Sequence, residues 1–248
     1  MENALLIGLS RQTVLRRSLD VIANNIANVN TSGFKADNSV FEETTMPLAR
    51  DERGGGINRR VSFVNDRATW HDLRQGGIEL TGAPLDVALD GNGFLAVQTP
   101  AGERYTRNGS LQINSAGELV TSTGFRVLGE GGPIVMQPQD KNITIASDGS
   151  IAAGDAQRGK LRIVDFAQSA RLQKDGANNF VAPAGMQAAP VTTTRVIQGA
   201  VEKSNVQSVV EMTRMIDVTR TYTTISQMLQ NESDLRRSAI EKLADVPA

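Results

Sequence analysis

The sequence predicts an α+β protein in which N- and C-terminal α-helices pack as a coiled-coil-like domain, with a central antiparallel all-β domain between them. Three observations lead there. Apolar residues recur at heptad spacing near both ends of the chain, the pattern between them changes to a period of two, and that middle is cut at short intervals by glycine-containing turns.

The first element is a helix within residues 1–34. After Leu5, apolar positions fall at Leu15, Leu19, Ile22, Ile26 and Val29, the last five spaced 4, 3, 4 and 3, which draws one stripe along a helix. The helix is expected to end near Asn30, because Thr31 and Ser32 favour turns and Gly33 can adopt the left-handed conformation that closes a helix. Residues 24–30, NNIANVN, hold four asparagines. Asn is a weak helix former, so the four together cost about 2 kcal/mol against alanine. Asp20, Asn24 and Asn28 form a row opposite the stripe, with Asn25 at its margin. Amides there offer donors and acceptors without the desolvation cost of a charge, which suits a face packed against neighbours; a solvated face is the plainer explanation.

Residues 35–78 fit neither period, and RDERGGGINRR (50–60) reads as an extended or flexible connection. Residues 79–198 read as the β domain. PLDVALDGNGFLAVQT (84–99), GSLQINSAGELVTS (109–122), NITIASDGSI (142–151) and KLRIVDF (160–166) alternate or run apolar between Gly-Asn, Ala-Gly, Asp-Gly and Gly-Gly steps. Residues 199–248 return to a helix, with Met215, Val218, Tyr222, Ile225 and Leu229 spaced 3, 4, 3 and 4. Ser204 or Asn205 can cap its start and Pro247 lies past its end. Met212, Met215 and Met228, at helical spacing beside Val and Ile, read as core. Single helices with such narrow seams are not stable alone in water, so they must pack on each other, on other chains, or on both.

Composition removes several classes of function. With 248 residues, 40% hydrophobic and 21% charged, the chain can bury a substantial core. A formal net charge of −1 gives no reason to expect nucleic acid. There is no cysteine, hence no disulfide, thiolate metal site or thiol nucleophile. Glu2 and the short apolar run ALLIGL do not make a cleaved secretory signal, and no apolar stretch is long enough to span a bilayer. A soluble chain without membrane insertion is expected.

The search for chemistry is negative. His71, beside the lone Trp70, has no nucleophile near it in sequence and too few co-ligands for zinc. DGNGF (90–94) begins like a calcium loop, but its twelfth position is Ala101, so it reads as a hairpin turn. GEGG (129–132) is followed by no Lys-Ser/Thr and reads as a tight turn. No catalytic, cofactor or metal residue is assigned.

Three stretches together resemble the flagellar rod and hook family. They are VIANNIANVNTSGFKA (21–36), GFLAVQTPAGERYTRNGSLQINSAGELVTSTGFRVLGEGGPI (93–134) and GAVEKSNVQSVVEMTRMIDVTRTY (199–222), in the family's order at both ends and the middle. The resemblance is nearest to proximal-rod members, with a distal-rod or hook protein as the alternative of the same class. It implies a structural subunit, not an enzyme, that polymerises into the hollow rod transmitting torque across the periplasm. Implied partners are copies of itself, other rod proteins, proximal and distal, and the flagellar type III export apparatus, through which it leaves without a cleaved signal. The assembly interface would comprise Leu15, Leu19, Ile22, Asn24, Asn25, Ile26, Asn28, Val29, Met215, Val218, Tyr222, Ile225 and Leu229. A reading from another class, a secreted β-rich binding module, sits poorly with 4% aromatic residues and one tryptophan.

Overall fold

The computed structural model describes residues 2–46, 61–140, 142–191 and 193–244, so Pro47, Pro247 and the RDERGGGINRR stretch lie outside the described residues. The described chain forms two compact units. The first holds residues up to 26, the segment from 37 to 70 and the residues from 207 onward; the second holds residues 27–36 and 71–206.

Two helices dominate the first unit, α1 (Glu2–Ala27) and α2 (Ser208–Ala244). The helix α1 stops three residues short of Asn30. The Thr31 amide closes a turn on the Asn28 carbonyl at 3.1 Å, and Gly33 takes φ +68°. A Cβ on Gly33 would lie 2.3 Å from the Arg107 carbonyl carbon, so both the conformation and the close approach demand glycine.

The helices touch inside this unit. The Gln12 amide donates to the Tyr222 hydroxyl at 3.2 Å and to Ser226 Oγ at 3.1 Å, and a Cβ on Gly8 would sit 2.6 Å from Leu229 Cδ2. A small residue at position 8 is what lets the two backbones come so near.

Residues 35–78, read from sequence as a connection, instead contribute strands Asp37–Met46 and Val61–His71, which pair with each other in a two-stranded sheet. Their sequences, DNSVFEETTM and VSFVNDRATWH, scatter charged and polar residues without strict alternation, so no period-two signal survives. The predicted caps of α2 do not cap it, because the helix begins only at Ser208. Ser204 Oγ accepts from the Val206 amide at 3.2 Å, before the helix begins, and Asn205 ties together residues of the second unit.

The second unit is β-rich, and every described pairing between its strands is antiparallel. Its ten-stranded sheet is centred on Phe94–Thr99, flanked by Gly102–Thr106 and Arg126–Gly129. A three-stranded sheet spans Ile143–Ile145, Ser150–Ala153 and Ala156–Lys160. Two short ladders complete the unit, Val87–Asp90 with Arg195–Gln198 and Ile78–Leu80 with Ala200–Glu202.

Several predicted turns fall where the sequence put them. Leu111–Ile113 folds back on Leu119–Thr121, and Asn114 Oδ1 accepts the amides of Ala116 and Glu118, both at 2.9 Å. Asp148-Gly149 joins strands paired Ile145 to Ile151, and Glu130-Gly131 joins strands paired Gly129 to Gly132. DGNGF is different, because it is not a hairpin turn. The strand before it pairs with 195–198 and the strand after it belongs to the large sheet, so the turn carries the chain from one ladder to another. Gly91 at φ +115° and Gly93 at φ +121° make the bend, and the Thr194 hydroxyl donates to the Asn92 carbonyl.

Both faces of Phe94–Thr99 are covered. Leu95 and Val97 pack with Val87, Leu119, Val127 and Ile151, while Phe94 and Ala96 pack with Tyr105, Phe166 and Phe180 on the other side. This is why the strand runs apolar instead of alternating. Phe94 meets Phe180 edge-on with centroids 5.5 Å apart, and Tyr105 meets Phe166 at 4.8 Å.

Four carboxylates here are held below their ordinary values by hydrogen bonds: Asp72 by Arg74, Asp140 by Arg158, Asp148 by Ser150 and Glu118 by Asn114. A depressed folded value stabilises the fold at pH above the unfolded value, here 3.8 for Asp and 4.5 for Glu, and that contribution is lost as pH falls through the folded value. The denaturation midpoint of this unit is expected to be level in pH between about 5 and 7 and to drop steadily below about 4. Urea titrations at stepped pH, followed by the fluorescence of Tyr105 with Trp70 and Tyr222 replaced by Phe, check it; a midpoint that holds to pH 2 contradicts it.

Candidate functional site

The seam residues proposed from sequence can be placed one by one. On α1, Ile22 is buried and Leu15, Leu19 and Ile26 are half-buried, while Val29 lies past the helix end in the turn. On α2, Met215, Val218, Tyr222, Ile225 and Leu229 are half-buried between exposed neighbours. The spacing therefore identifies the inward face of each helix.

The asparagines divide by role. Asn25, put at the margin from sequence, is 0% exposed. Its Nδ2 donates to the Asp37 carbonyl at 2.8 Å and its Oδ1 accepts the Asp37 amide at 2.9 Å, so the side chain pairs with the strand start as another peptide would. Only an amide has both a donor and an acceptor in that geometry. Nδ2 also lies 3.4 Å from Glu211 Oε2. Asn28 builds the turn, accepting from the Thr31 hydroxyl at 3.1 Å, and Asn24 is exposed.

Sequence reasoning missed Glu211. It is 7% exposed, four positions before Met215 on the same stripe, and Arg214 Nη1 lies 3.4 Å from its Oε1. A carboxylate interrupting an apolar heptad stripe was the available signal, since a charge on such a face needs a specific partner.

The reading of Met212 and Met228 as core is corrected: they are 52% and 64% exposed. The inward stripe runs through residues 211, 215, 218, 222, 225 and 229, and a residue one position away points about 100° round the helix. Val209, Val210, Ile216, Leu235 and Ile240 are likewise exposed, so α2 is apolar well beyond the face it packs within the chain.

Its threonines extend that character. The hydroxyls of Thr213, Thr219, Thr221 and Thr224 donate to the carbonyls of Val209, Met215, Asp217 and Arg220, each four residues back, at 2.7 to 2.9 Å. Their hydroxyl protons are thus bonded within the helix. Ten of the 17 residues 209–225 are Val, Ile or Thr, which lose side-chain freedom in a helix. Such a helix draws its stability from packing rather than from propensity.

A second cluster went unseen in the sequence. In the β-rich unit, Lys35 Nζ lies 2.5 Å from Glu202 Oε1 and Arg107 Nη1 lies 3.1 Å from Glu202 Oε2, with the three side chains 0%, 4% and 0% exposed in the order Lys35, Arg107, Glu202. Lys35 also donates to the Arg74 carbonyl at 2.7 Å, and the Arg107 guanidinium stands 5.4 Å over the Phe94 ring. Burial pulls the Lys35 ammonium below the ordinary lysine value, and Glu202 offsets part of that pull. This arrangement joins three distant segments of the unit.

Among the described residues no cluster of His, Asp and Glu is placed to hold a metal, and no helix is long and apolar enough to cross a membrane. His71 packs edge-on against Phe180, with ring centroids 5.9 Å apart.

Three family models match the chain. They are the flagella basal body rod protein model over residues 5–35, the flagellar hook protein FlgE/F/G D1 domain over 88–153, and the flagellar basal body rod FlgEFG protein C-terminal model over 197–242. The chain is 38% identical to the flagellar basal-body rod protein FlgF of Caulobacter vibrioides, covering 99% of this chain and 100% of that one. It is 36% identical to FlgF of Escherichia coli, with 92% of each chain covered. Against the flagellar basal-body rod protein FlgG of Bacillus subtilis it is 30% identical, with 97% and 98% covered. By this kinship over its full length the chain belongs to the flagellar basal-body rod proteins, as a structural, non-enzymatic subunit of the FlgF type.

Proposed function

We propose that the chain is a subunit of the proximal rod, joining copies of itself and other rod proteins through α1 and α2 in a helical assembly of coiled-coil-like packing. The observation that carries this reading is the set of exposed apolar side chains along α2, Val209, Ile216, Met228 and Leu235 among them, beside threonines whose hydroxyls are already bonded. Exposed apolar side chains in such number along one helix are costly in water and are removed from it by association. A surface that repeats head to tail without closing into a ring generates a filament, and a shaft built so can carry torque. The inward seam, Leu15, Leu19, Ile22 and Ile26 with Met215, Val218, Tyr222, Ile225 and Leu229, would hold the helices of each subunit in the shape the assembly needs. Asn24 and Asn28 would lie toward neighbouring copies. We further propose a periplasmic rod location reached through the flagellar type III export apparatus without a cleaved signal; the resemblance of both chain ends to family members supports this.

Deleting the gene is expected to leave cells non-motile, with basal bodies arrested before the hook. Electron microscopy of the deletion strain decides it, and normal flagella there would overturn the reading.

Ile216→Asp and Leu235→Asp, both at exposed positions, are expected to change the stability of the isolated chain by no more than about 0.5 kcal/mol. Incorporation into basal bodies should nevertheless fall sharply when either variant is supplied to the deletion strain, with export assayed separately. Wild-type incorporation of both would remove the outward face of α2 from the interface.

Asn25→Asp separates internal structure from assembly. It removes the donor to the Asp37 carbonyl and sets a carboxylate near Glu211, so the first unit, within the full chain, should lose about 3 kcal/mol. Faster amide exchange in strand 37–46 reads that loss, and unchanged exchange would mean the pairing contributes little.

A further inference from the structure

We propose that the β-rich unit carries a folding latch: it becomes a stable fold only when the chain is present as far as Glu202, whose carboxylate closes over Lys35 and Arg107. The proposal stands on this unit alone and does not depend on the rod reading.

The latch gathers residues far apart in sequence. Glu202 is 167 residues from Lys35 and 95 from Arg107. Besides meeting both cations, its Oε1 accepts the Gly76 amide at 2.8 Å and its backbone carbonyl accepts the Gly33 amide at 2.6 Å. Three residues on, Asn205 repeats the linkage. Its Oδ1 accepts the Ala36 amide at 2.8 Å, and its Nδ2 donates to the carbonyls of Asp72 and Arg74 at 2.7 and 3.1 Å.

Consider the same chain without residues beyond 198. Lys35 and Arg107 would be asked to enter the interior with Glu202 missing. Lysine can escape by losing its proton, and burial already favours that direction, but arginine stays charged at every pH a protein survives. A buried guanidinium left with only the Gly91 and Leu89 carbonyls and no carboxylate is strongly unfavourable, and Arg107 already has its Nε without a partner. The loss extends beyond charge. Ile78–Leu80 loses Ala200–Glu202, its ladder partner, and the core loses Ala200, Val201 and Val206, all buried. The strands from 87 to 166 hold most of the core, yet they cannot close around two cations that lack their carboxylate.

The consequence is a chain whose central unit completes itself late, after about four-fifths of the sequence is available. A partial chain, emerging from a ribosome or threading through a narrow passage in either direction, stays open until both ends of the unit can meet.

The test compares hydrogen exchange, by mass spectrometry, in strands 94–99 and 126–129 of four proteins. They are the full chain, chains ending at Val206 and at Gln198, and full-length Glu202→Gln. Protection in the full chain and in the 206 chain, with a loss of at least about a hundredfold in the 198 chain, is the expected result. Glu202→Gln, which keeps size and shape, should exchange at least about tenfold faster than wild type. A 198 chain as protected as the full one overturns the latch. So does an unprotected 206 chain, which would make α2 the requirement, and wild-type exchange in Glu202→Gln removes Glu202 as the closing contact.

Discussion

The β-rich unit depends on one buried arrangement, a single carboxylate shared by two cations. Glu202 receives Lys35 and Arg107 where none of the three side chains has more than 4% of its surface in water. Burying charge is expensive, and such an arrangement is tolerated only when every partner is in place. Its neighbourhood is accordingly dense with backbone bonds from Gly33, Gly76 and the carbonyl of Arg74. The ions do less to add stability than to specify which segments must come together. They tie residues just after α1, the middle of the sheet and the strand before α2 into one structure.

That arrangement also shows where sequence reading stops. Lysine, arginine and glutamate read as surface residues, and nothing local distinguishes Lys35 from the exposed Lys203 beside Glu202. The heptad stripes were legible because a helix carries its packing pattern at fixed spacing, and they fall on buried or half-buried positions of α1 and α2. The turns at Asn114–Gly117 and Asp148-Gly149 were legible for the same reason: the chemistry is local. DGNGF was misjudged because its residues report a bend and not which strand pairs with which. The ribbon of Asp37–Met46 and Val61–His71 left no periodic trace, and Asn25 looked marginal because its partner, Asp37, lies in that ribbon.

The helices and the β-rich unit meet different demands. The unit closes its own core on both faces of strand 94–99 and has little left to satisfy. The helix α2 spends one stripe within the chain and keeps other apolar side chains, Val209, Ile216 and Leu235 among them, exposed. The assembly proposed above would use both properties, a module that closes its own core and a helix with apolar side chains left to bury.

The threonine hydroxyls of α2 set the thermodynamic character of that surface. Because Thr213, Thr219, Thr221 and Thr224 bond back to their own helix, covering them strips little bound water from polar groups and mostly releases water from methyl and methylene carbon. Contacts made in this way carry a negative heat-capacity change and are driven near room temperature by solvent entropy. They weaken on cooling, so a joint built on this helix grips more firmly in warm cells than in cold ones.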